Sequence, residues 1–163
     1  MGRIGKAVAR RALFGFEMPV VYHDAVDAGV SWARWLDSVE EVLETADIVS
    51  VHVPGGGPNR HLLDAARLAR MKPGAFLVNT ARGDVVDTRA LVDALTSGAL
   101  GGAGLDVYED EPDVPEELRK LDNAVLLPHL GSATRETRIA MGELVLENLQ
   151  AFLDGREPPC RVA

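Results

Sequence analysis

The feature that most constrains the fold is a series of short apolar runs, each followed directly by a residue that can do chemistry. F-L-V-N-T-A-R ends in Arg82, G-G-A-G-L-D ends in Asp106, and A-V-L-L-P-H ends in His129. Short apolar runs that alternate with helical patterns predict a parallel sheet in an α/β fold. The carboxyl ends of parallel strands meet at one edge, where such sheets bind ligands, so we expect these residues to share that edge.

The spacing of apolar residues predicts helices and strands in alternation along the whole chain. Helical patterns cover residues 2–14, 39–45, 64–71, 87–97 and 134–153. Strand-like runs cover residues 19–24, 46–53, 74–81, 102–106 and 124–127. Residues 28–38, 54–58 and 109–117 are predicted to be connections, because they lack either period or contain several glycines and prolines.

Composition narrows the class of protein. The 163 residues are enough for one ordinary domain, and the net charge of −8 argues against nucleic acid or an anionic membrane as the main partner. The single cysteine, Cys160, allows no internal disulfide and suits a reducing compartment such as the cytoplasm. His23, His52 and His61 show no metal-ligand spacing, so no metal site is predicted.

The opening M-G-R-I-G matches the last five positions of the dinucleotide-binding pattern G-x-G-x-x-G. Gly2 would let the backbone approach a pyrophosphate, and Gly5 would let the helix pack closely against a strand. Asp24 ends the next strand-like run, where it could bind a ribose 2′-hydroxyl and repel a 2′-phosphate, which favours NAD over NADP. A less favoured interpretation of this basic and apolar start is an organelle transit peptide.

Arg82, Glu111 and His129 are the candidates for catalysis. A guanidinium binds a carboxylate through two parallel hydrogen bonds, and an imidazole exchanges a proton near neutral pH. A carboxylate such as Glu111 commonly holds a catalytic imidazole in one tautomer. The alternatives are structural: a surface ion pair for Arg82, a hydrogen-bonded core histidine for His129, and a solvated acidic loop for Glu111.

Together these motifs resemble the D-isomer-specific 2-hydroxyacid dehydrogenase family over nearly the whole chain. The matching pieces are G-R-I-G at 2–5, Asp24, H-V-P at 52–54, M-K-P-G-A-F-L-V-N-T-A-R-G-D-V-V-D at 71–87, G-L-D-V-Y-E-D-E-P at 104–112 and L-P-H-L-G-S-A-T at 127–134. The resemblance implies a Rossmann-type doubly wound parallel sheet. It also implies an NAD-binding domain over residues 1–155, a tail over 156–163 that would return to a substrate domain, and a homodimer.

The resemblance also assigns expected roles to individual residues. Arg82 would bind the substrate carboxylate and oxo group, His129 would be the general acid/base, and Glu111, where formate dehydrogenases carry Gln, would be its partner. Hydride would pass between C2 of a D-2-hydroxy acid and the nicotinamide of NAD. The cofactor-binding residues that the family pattern implies are Gly2, Arg3, Ile4, Gly5, Asp24, Val53, Pro54, Thr80, Ala81, Asp106 and Gly131.

The chain departs from the family pattern in two respects. G-G-G-P at 55–58 stands where the family usually has Leu-Thr/Ser-Pro, which puts a side-chain contact near the cofactor in question. The substrate-binding region and the first strand of the nucleotide-binding sheet, which is central in strand order 3-2-1-4-5-6, have no counterpart. We therefore expect the C-terminal part of a longer enzyme, begun at an internal methionine. An in-frame stop codon close upstream of Met1 would contradict this expectation.

Three classes of function stay open. The favoured one is an oxidoreductase that acts on phosphoglycerate, glyoxylate/hydroxypyruvate or lactate-type substrates. The second is a non-catalytic NAD-sensing or scaffold module, since some relatives of this fold serve as transcriptional corepressors. The third is a fragment that does not fold alone. Measurable turnover would separate the first from the second, and a cooperative melt would exclude the third.

Overall fold

The computed structural model describes residues 1–161 and divides them into two compact units, the first running from Met1 to Pro128 and the second beginning at His129. The helices of the first unit are α1 (Arg3–Phe16), α2 (Val39–Thr45), α3 (Ala65–Leu68), α4 (Thr88–Thr96) and α5 (Glu116–Arg119). Its strands are β1 (Val21–Tyr22), β2 (Arg34–Trp35), β3 (Ile48–Val51), β4 (Phe76–Asn79), β5 (Gly102–Leu105) and β6 (Ala124–Leu126). Helices and strands therefore alternate as the sequence predicts, except that β1 is followed directly by β2.

The strands form two sheets, and every pairing in them is parallel. β1 pairs with β2 in the small sheet, and the larger sheet has the order β3-β4-β5-β6. In the larger sheet Val49 lies opposite Leu77, and Leu77 lies opposite Ala103. All four carboxyl ends of the larger sheet therefore lie at one edge, which confirms the predicted α/β class with a parallel sheet.

Helix starts follow the capping residues that the sequence offers. The Asp64 carboxylate accepts a hydrogen bond from the N–H of Arg67 at 2.9 Å, and the Asp87 carboxylate accepts one from the N–H of Ala90 at 3.0 Å. Each bond satisfies a backbone donor that the helix itself leaves unpaired. The predicted starts of α3 and α4 are therefore confirmed.

The predicted connections 28–38 and 109–117 were wrong in part. The first contains β2, and α5 begins inside the second. Both elements are too short for a period to appear in the sequence, since β2 has two residues and α5 has four. Their existence depends on neighbours distant in sequence, because β2 forms by pairing with β1.

The core of the first unit lies on one face of the larger sheet. Leu77 of β4 is fully buried there, with Leu43 of α2 and Leu91 of α4 in the same cluster. Side chains alternate between the two faces of a strand, and Ile48 and Phe76 on the opposite face are about half exposed, at 47% and 49%. The best-packed layer is therefore formed by the sheet with α2, α3 and α4.

The second unit contains one long helix, α6 (Arg135–Leu153). It begins directly after Thr134, close to the predicted start, and the Thr134 hydroxyl caps it by accepting a hydrogen bond from the N–H of Thr137 at 3.2 Å. Ala151 is buried, whereas apolar side chains along α6 such as Val145 and Phe152 are exposed. No helix within residues 1–161 combines the length and apolar character that crossing a bilayer requires.

Candidate active site

Most predicted site residues of the first unit lie in three loops at the carboxyl edge of the larger sheet. Residues 53–54 follow β3, residues 80–82 follow β4, and residues 106–111 follow β5. The three strands are adjacent and parallel, so their loops lie side by side. The N–H of Asp106 donates to the carbonyl oxygen of Asn79 at 3.0 Å, which joins the second loop to the third.

Gly83 lets the loop of Arg82 lie directly against the loop that carries Glu111. A Cβ atom at position 83 would be 1.9 Å from the carbonyl carbon of Tyr108 and 2.4 Å from the nitrogen of Glu109. Real Cβ atoms do not approach backbone atoms so closely, and backbone cannot rotate aside as a side chain can. The sequence N-T-A-R-G therefore needs its glycine for packing, and this glycine fixes Arg82 beside the third loop.

Asn79 supports the turn that presents Arg82, although the sequence analysis did not single it out. The side chain is 1% exposed, its Nδ2 donates to the carbonyl oxygen of Arg82 at 2.9 Å, and its Oδ1 accepts from the N–H of Ala81 at 3.0 Å. One amide thus satisfies a donor and an acceptor of the backbone. An amide side chain at the end of an otherwise apolar strand was the signal that could have identified it.

The guanidinium of Arg82 lies at the protein surface. Its Nη1 donates to the carbonyl oxygen of Ala81 at 2.6 Å, and no ion pair formed among residues 1–161 includes it. The structural alternative for Arg82, a surface ion pair, therefore has no support in this part of the chain. A guanidinium without a carboxylate neighbour can bind one that belongs to a ligand.

The third loop holds the predicted site residues Asp106 and Glu111 and a buried tyrosine. Asp106 is 3% exposed, and Glu111 accepts a hydrogen bond from the N–H of Tyr108 through its Oε1 at 3.0 Å. The Tyr108 hydroxyl donates to the carbonyl oxygen of Leu127 at 2.9 Å, and burial raises its pKa above the ordinary value. The tyrosine therefore stays a neutral donor that ties the third loop to the segment after β6.

Loop residues 55–57, which depart from the family pattern, also have a packing role. A Cβ at Gly55 would be 2.5 Å from Asp84 Oδ1 and 2.9 Å from Arg82 Cβ. The N–H of Gly56 donates to Asp84 Oδ2 at 2.7 Å. The glycines thus let the first loop approach the second, so Arg82 is held from both sides.

The start of α1 has the features of an anion-binding helix end. Its N-cap is Gly2, which has no side chain to satisfy the N–H groups of the first turn, and that turn contains no acidic residue. A Cβ at Gly5 would be 3.5 Å from the Cβ of His52, just after β3. This is an ordinary contact, so the predicted need for glycine at position 5 stays a prediction, whereas the first-turn amides of Arg3, Ile4 and Gly5 fit a phosphate group.

Asp24, the predicted ligand of a ribose hydroxyl, lies two residues after β1 and is partly exposed. Its carboxylate forms an ion pair with the N-terminal ammonium of Met1, and its Oδ1 accepts from the N–H of Ala25 at 2.8 Å. The predicted cofactor residues Gly2, Gly5 and Asp24 are thus brought to one end of α1. The contact with the ammonium group was not foreseen from the sequence.

His129 and Gly131 belong to the second unit, where His129 is its first residue. His129 is exposed and has a backbone φ of 53°, in the left-handed region that only a small fraction of non-glycine residues adopt. Such conformations cost free energy and cluster at functional sites, although His61 shares this feature with a φ of 48°. Gly131 is also exposed.

A cluster around Glu109 joins residues 60–61 to the third loop, although the sequence alone predicts only a solvated acidic loop there. The Arg60 guanidinium donates to Glu109 Oε1 at 2.6 Å, and His61 Nε2 lies 2.9 Å from the same oxygen. The Thr88 hydroxyl donates to Glu109 Oε2 at 3.4 Å. One carboxylate therefore connects residues 60–61 with the start of α4.

Replacement of Glu109 by alanine should lower the free energy of unfolding by about 1–3 kcal/mol, because His61 and Thr88 lose a charged acceptor. Urea unfolding of the two proteins measures the difference. Glu116→Ala is the matched control: its carboxylate pairs with Lys120 at 2.7 Å on an exposed helix surface, so its loss should change stability by about 0.5 kcal/mol or less. Equal losses in both variants would contradict this connecting role of Glu109.

His52 gives the stability of the first unit a pH dependence. Burial lowers the pKa of His52 below its ordinary value of 6.5, and Ser50 Oγ lies 2.9 Å from its Nε2. The unfolded chain therefore binds more protons than the folded chain between this lowered pKa and about 6.5, so stability falls as the pH falls through that window. The lowered pKa values of Asp27 and Glu40 act at more acidic pH, below their ordinary 3.8 and 4.5.

Urea midpoints at neutral pH and at progressively lower pH should decrease for the parent chain. His52→Gln keeps a hydrogen-bonding group near Ser50 but does not titrate, so its midpoints should decrease less over the same range. Parallel curves for the two proteins would show that other groups cause the dependence.

Metal ligation has no support in the part of the chain that the structure describes. Among residues 1–161, no group of three or more His, Cys, Asp or Glu side chains is placed to hold an ion. Cys160 is exposed and forms no disulfide.

Comparison with known proteins identifies the family. The model of the "D-isomer specific 2-hydroxyacid dehydrogenase, NAD binding domain" matches residues 1–131. The chain belongs to the D-isomer-specific 2-hydroxyacid dehydrogenase family. Among family members, glyoxylate reductase of Pyrococcus furiosus is 49% identical over 99% of this chain, and that of Korarchaeum cryptofilum is 48% identical over 98% of it.

Solved structures share the fold of this chain. The TT0316 protein of Thermus thermophilus superposes with a TM-score of 0.94 at 53% identity, covering 100% of this chain and 51% of its own. An NADPH-dependent glyoxylate/hydroxypyruvate reductase of Sinorhizobium meliloti gives 0.93 at 40% identity, covering 99% of this chain and 51% of its own. The likeness confirms the predicted Rossmann-type sheet, and the chain spans about half the length of the relatives it matches.

Proposed function

We propose that this chain forms the nucleotide-binding half of an NAD-dependent D-2-hydroxyacid dehydrogenase and contributes Arg82, Glu111 and His129 to its catalytic site. The observation that carries the proposal is the packing of the Arg82 loop against the loop of Asp106 and Glu111 at the carboxyl edge of a parallel sheet. Substrates would be 2-oxo acids such as glyoxylate, hydroxypyruvate or a phosphoglycerate-type acid. Glyoxylate reductases among the relatives favour the first of these.

The first turn of α1 and the loop after β3 would hold the cofactor. No side chain caps the N-terminus of α1, so its free N–H groups favour a phosphate group. Asp24 after β1 favours a ribose without a 2′-phosphate. Val53, Pro54, Thr80, Ala81, Asp106 and Gly131 would complete this site. NAD, when bound, supplies the hydride donor or acceptor.

Each catalytic residue would then have a distinct task. Arg82 would bind the substrate carboxylate through both of its terminal nitrogens, which orients the 2-oxo group. His129 would donate a proton to the 2-oxo oxygen during reduction and take it back during oxidation. Glu111 would keep the imidazole in the tautomer that this transfer needs.

The resemblance supports further predictions. They are a domain boundary at residue 155, the return of the tail 156–163 to a substrate domain, assembly as a homodimer, and a cytoplasmic location. Residues 162–163 of that tail lie outside the described residues. A small-molecule acid remains the proposed partner.

A titration of the chain with NADH tests the proposal first. Trp32 and Trp35 lie between β1 and α2, so quenching of their fluorescence or energy transfer to the nicotinamide would report binding. We expect saturable binding that is tighter for NADH than for NADPH, and a smaller difference between them in Asp24→Ser, because this change removes the repulsion of a 2′-phosphate. A folded chain that binds neither dinucleotide would refute the cofactor site.

Turnover with glyoxylate and hydroxypyruvate is the second measurement. It is made on a polypeptide that joins this chain to the half of a relative that the chain does not match. If that polypeptide binds NADH but shows no turnover, the result would favour the scaffold class of function.

A further inference from the structure

His61 has a backbone conformation that its residue type disfavours. The N–H of Leu62 donates to the carbonyl oxygen of Asn59 at 3.1 Å, which closes a β-turn over residues 59–62. Arg60 has a φ of −60° and a ψ of 127°, and His61 has a φ of 48°. These angles are typical of a type II turn, whose third position favours glycine or asparagine because other side chains are strained at positive φ.

The contacts of His61 give a reason for a histidine at this strained position. Its Nε2 lies 2.9 Å from Glu109 Oε1, and its Nδ1 lies 3.9 Å from Asp87 Oδ2. Its backbone N–H donates to the carbonyl oxygen of Asp84 at 2.7 Å, which fixes the residue to the segment after Arg82. An asparagine side chain would suit the turn but ends short of the position of an imidazole Nε2. Strained residues that are retained in this way cluster at functional sites.

His61 is the principal partner of Glu109. Arg60 Nη2 lies 2.6 Å from the same carboxylate oxygen, yet the Arg60 side chain is 55% exposed and exposed ion pairs contribute little. The Thr88 hydroxyl donates to the other oxygen at 3.4 Å, which is long for an O–H···O bond. The imidazole combines a short distance with only 34% exposure, so its bond to Glu109 is the strongest of the three.

The position of Glu109 determines where the end of the third loop lies. Its backbone packs on the loop of Arg82, since a Cβ at Gly83 would be 2.4 Å from the nitrogen of Glu109. A single residue separates Glu109 from Glu111. The N–H of Tyr108 donates to Glu111 Oε1 at 3.0 Å, so this amide reports where the Glu111 carboxylate is.

The start of the third loop has an anchor of its own. The Tyr108 hydroxyl donates to the carbonyl oxygen of Leu127 at 2.9 Å. The part of the loop before Glu109 therefore keeps its place, and its contact with the second loop, when His61 is changed. The part from Glu109 to Glu111 is the part that His61 fixes.

We propose that His61 is a positioning residue of the catalytic site, which holds Glu109 and thereby fixes the carboxylate of Glu111 beside the loop of Arg82. The inference rests on the proposed function, because this placement matters for turnover only if Glu111 orients the general acid/base. In this role His61 contacts neither substrate nor cofactor. The strain at position 61 is then retained because it fixes the catalytic loop.

Two substitutions at position 61 separate the effect of the turn from that of the side chain. Asparagine favours the turn but is too short to reach Glu109, whereas glutamine is strained in the turn but can offer its amide Nε2 to Glu109. His61→Asn should therefore have the higher urea midpoint of the two variants, and His61→Gln should have the higher activity. A purely structural histidine would give the reverse order of activity, because activity would follow stability.

Amide exchange of Tyr108 in the chain itself measures the placement of Glu111 without turnover. In His61→Asn the Tyr108 N–H should exchange with deuterium about tenfold or more faster than in the parent, because its acceptor is displaced. In His61→Gln the rate should stay within about threefold of the parent. The N–H of Phe76, which donates to the carbonyl oxygen of Asp47 in the larger sheet at 3.0 Å, is the internal reference and should keep its rate in both variants.

Turnover of glyoxylate supplies the functional readout, in the polypeptide that joins this chain to the unmatched half of a relative. In His61→Asn kcat should fall about tenfold, while the KM for glyoxylate and the dissociation constant of NADH change less than about threefold. In His61→Gln kcat should stay within about threefold of the parent. Glu17→Gly is the matched control: Glu17 has a φ of 57° at the end of α1, so this change relieves a similar strain and should leave kcat unchanged.

Two outcomes would overturn the role of His61. Unchanged exchange of the Tyr108 amide in His61→Asn would mean that Glu111 is placed without His61. A kcat that follows the urea midpoints, higher in His61→Asn than in His61→Gln, would mean that position 61 only stabilises the turn. A parent polypeptide without turnover would instead overturn the proposed function, and exchange at Tyr108 would then decide by itself whether His61 places Glu111.

Discussion

Alanine at position 83 will lower the free energy of unfolding by about 3 kcal/mol or more and will displace the loop of Arg82. The added methyl group would lie 1.9 Å from the carbonyl carbon and 2.0 Å from the carbonyl oxygen of Tyr108. These atoms are backbone, so relief requires that one whole loop moves away from the other. Tyr108 is anchored by its bond to Leu127, which makes the Arg82 loop the side that moves.

The matched control is Gly104→Ala in β5. A Cβ there would meet Val78 Cγ2 at 3.9 Å, an ordinary contact, and its backbone needs no left-handed conformation. Chemical unfolding should therefore give a change in the free energy of unfolding of about 1 kcal/mol or less for Gly104→Ala, compared with about 3 kcal/mol or more for Gly83→Ala. The loss in Gly83→Ala corresponds to a melting temperature that is lower by roughly 6–12 °C. Similar losses in the two variants would show that the loops yield easily and that Gly83 does not fix Arg82.

The edge of the sheet could be predicted because it depends on local patterns. The apolar runs at 74–81 and 102–106 contain β4 and β5, and each ends at or next to a residue whose side chain can take part in catalysis or binding. Parallel strands place their carboxyl ends at one edge of the sheet, so the sequence alone assigns Arg82 and Asp106 to the same edge. Capping by Asp64 and Asp87 is equally local.

The connections between loops could not be predicted, since they join residues far apart in sequence. Arg60 and Glu109 are 49 positions apart, and Gly56 and Asp84 are 28 apart. A composition-based interpretation treats Glu109 as one more solvated acid, because nothing nearby in sequence identifies its partners. From the sequence, the glycines at 55–57 indicate only that a side-chain contact near the cofactor is lost. In the structure, Gly55 lets the loop approach Arg82.

The separation of the strands into two sheets could be predicted only in part. The family strand order 3-2-1-4-5-6 predicts that the strand without a counterpart belongs in the middle of the sheet. It could not show that β1 would still pair with β2, or that β3 would keep its register with β4. Each pairing joins segments that are distant in sequence, so no local pattern identifies it.

The largest functional effect is expected from His129→Ala. In the proposed reaction this imidazole supplies the proton for the 2-oxo oxygen, and loss of a general acid costs about 10²–10⁴ in turnover. NADH binding should be retained, because the groups proposed to hold the cofactor lie mainly at α1, β1 and the loop after β3. The background for the measurement is a chimera in which this chain replaces the matched half of Pyrococcus furiosus glyoxylate reductase, with which it shares 49% identity.

Turnover of glyoxylate and the dissociation constant of NADH are measured in the same preparations, with His23→Ala as the matched control. His23 Nδ1 lies 2.9 Å from the carbonyl oxygen of Leu36 and has no role in the proposed proton transfer, so its removal should leave the acid/base limb of the pH profile intact. The His129 variant should also lose the limb of the pH profile that reports the acid/base group. A His129 variant that loses turnover and NADH affinity equally, with the limb intact, would make His129 a structural residue and leave the proton without a donor.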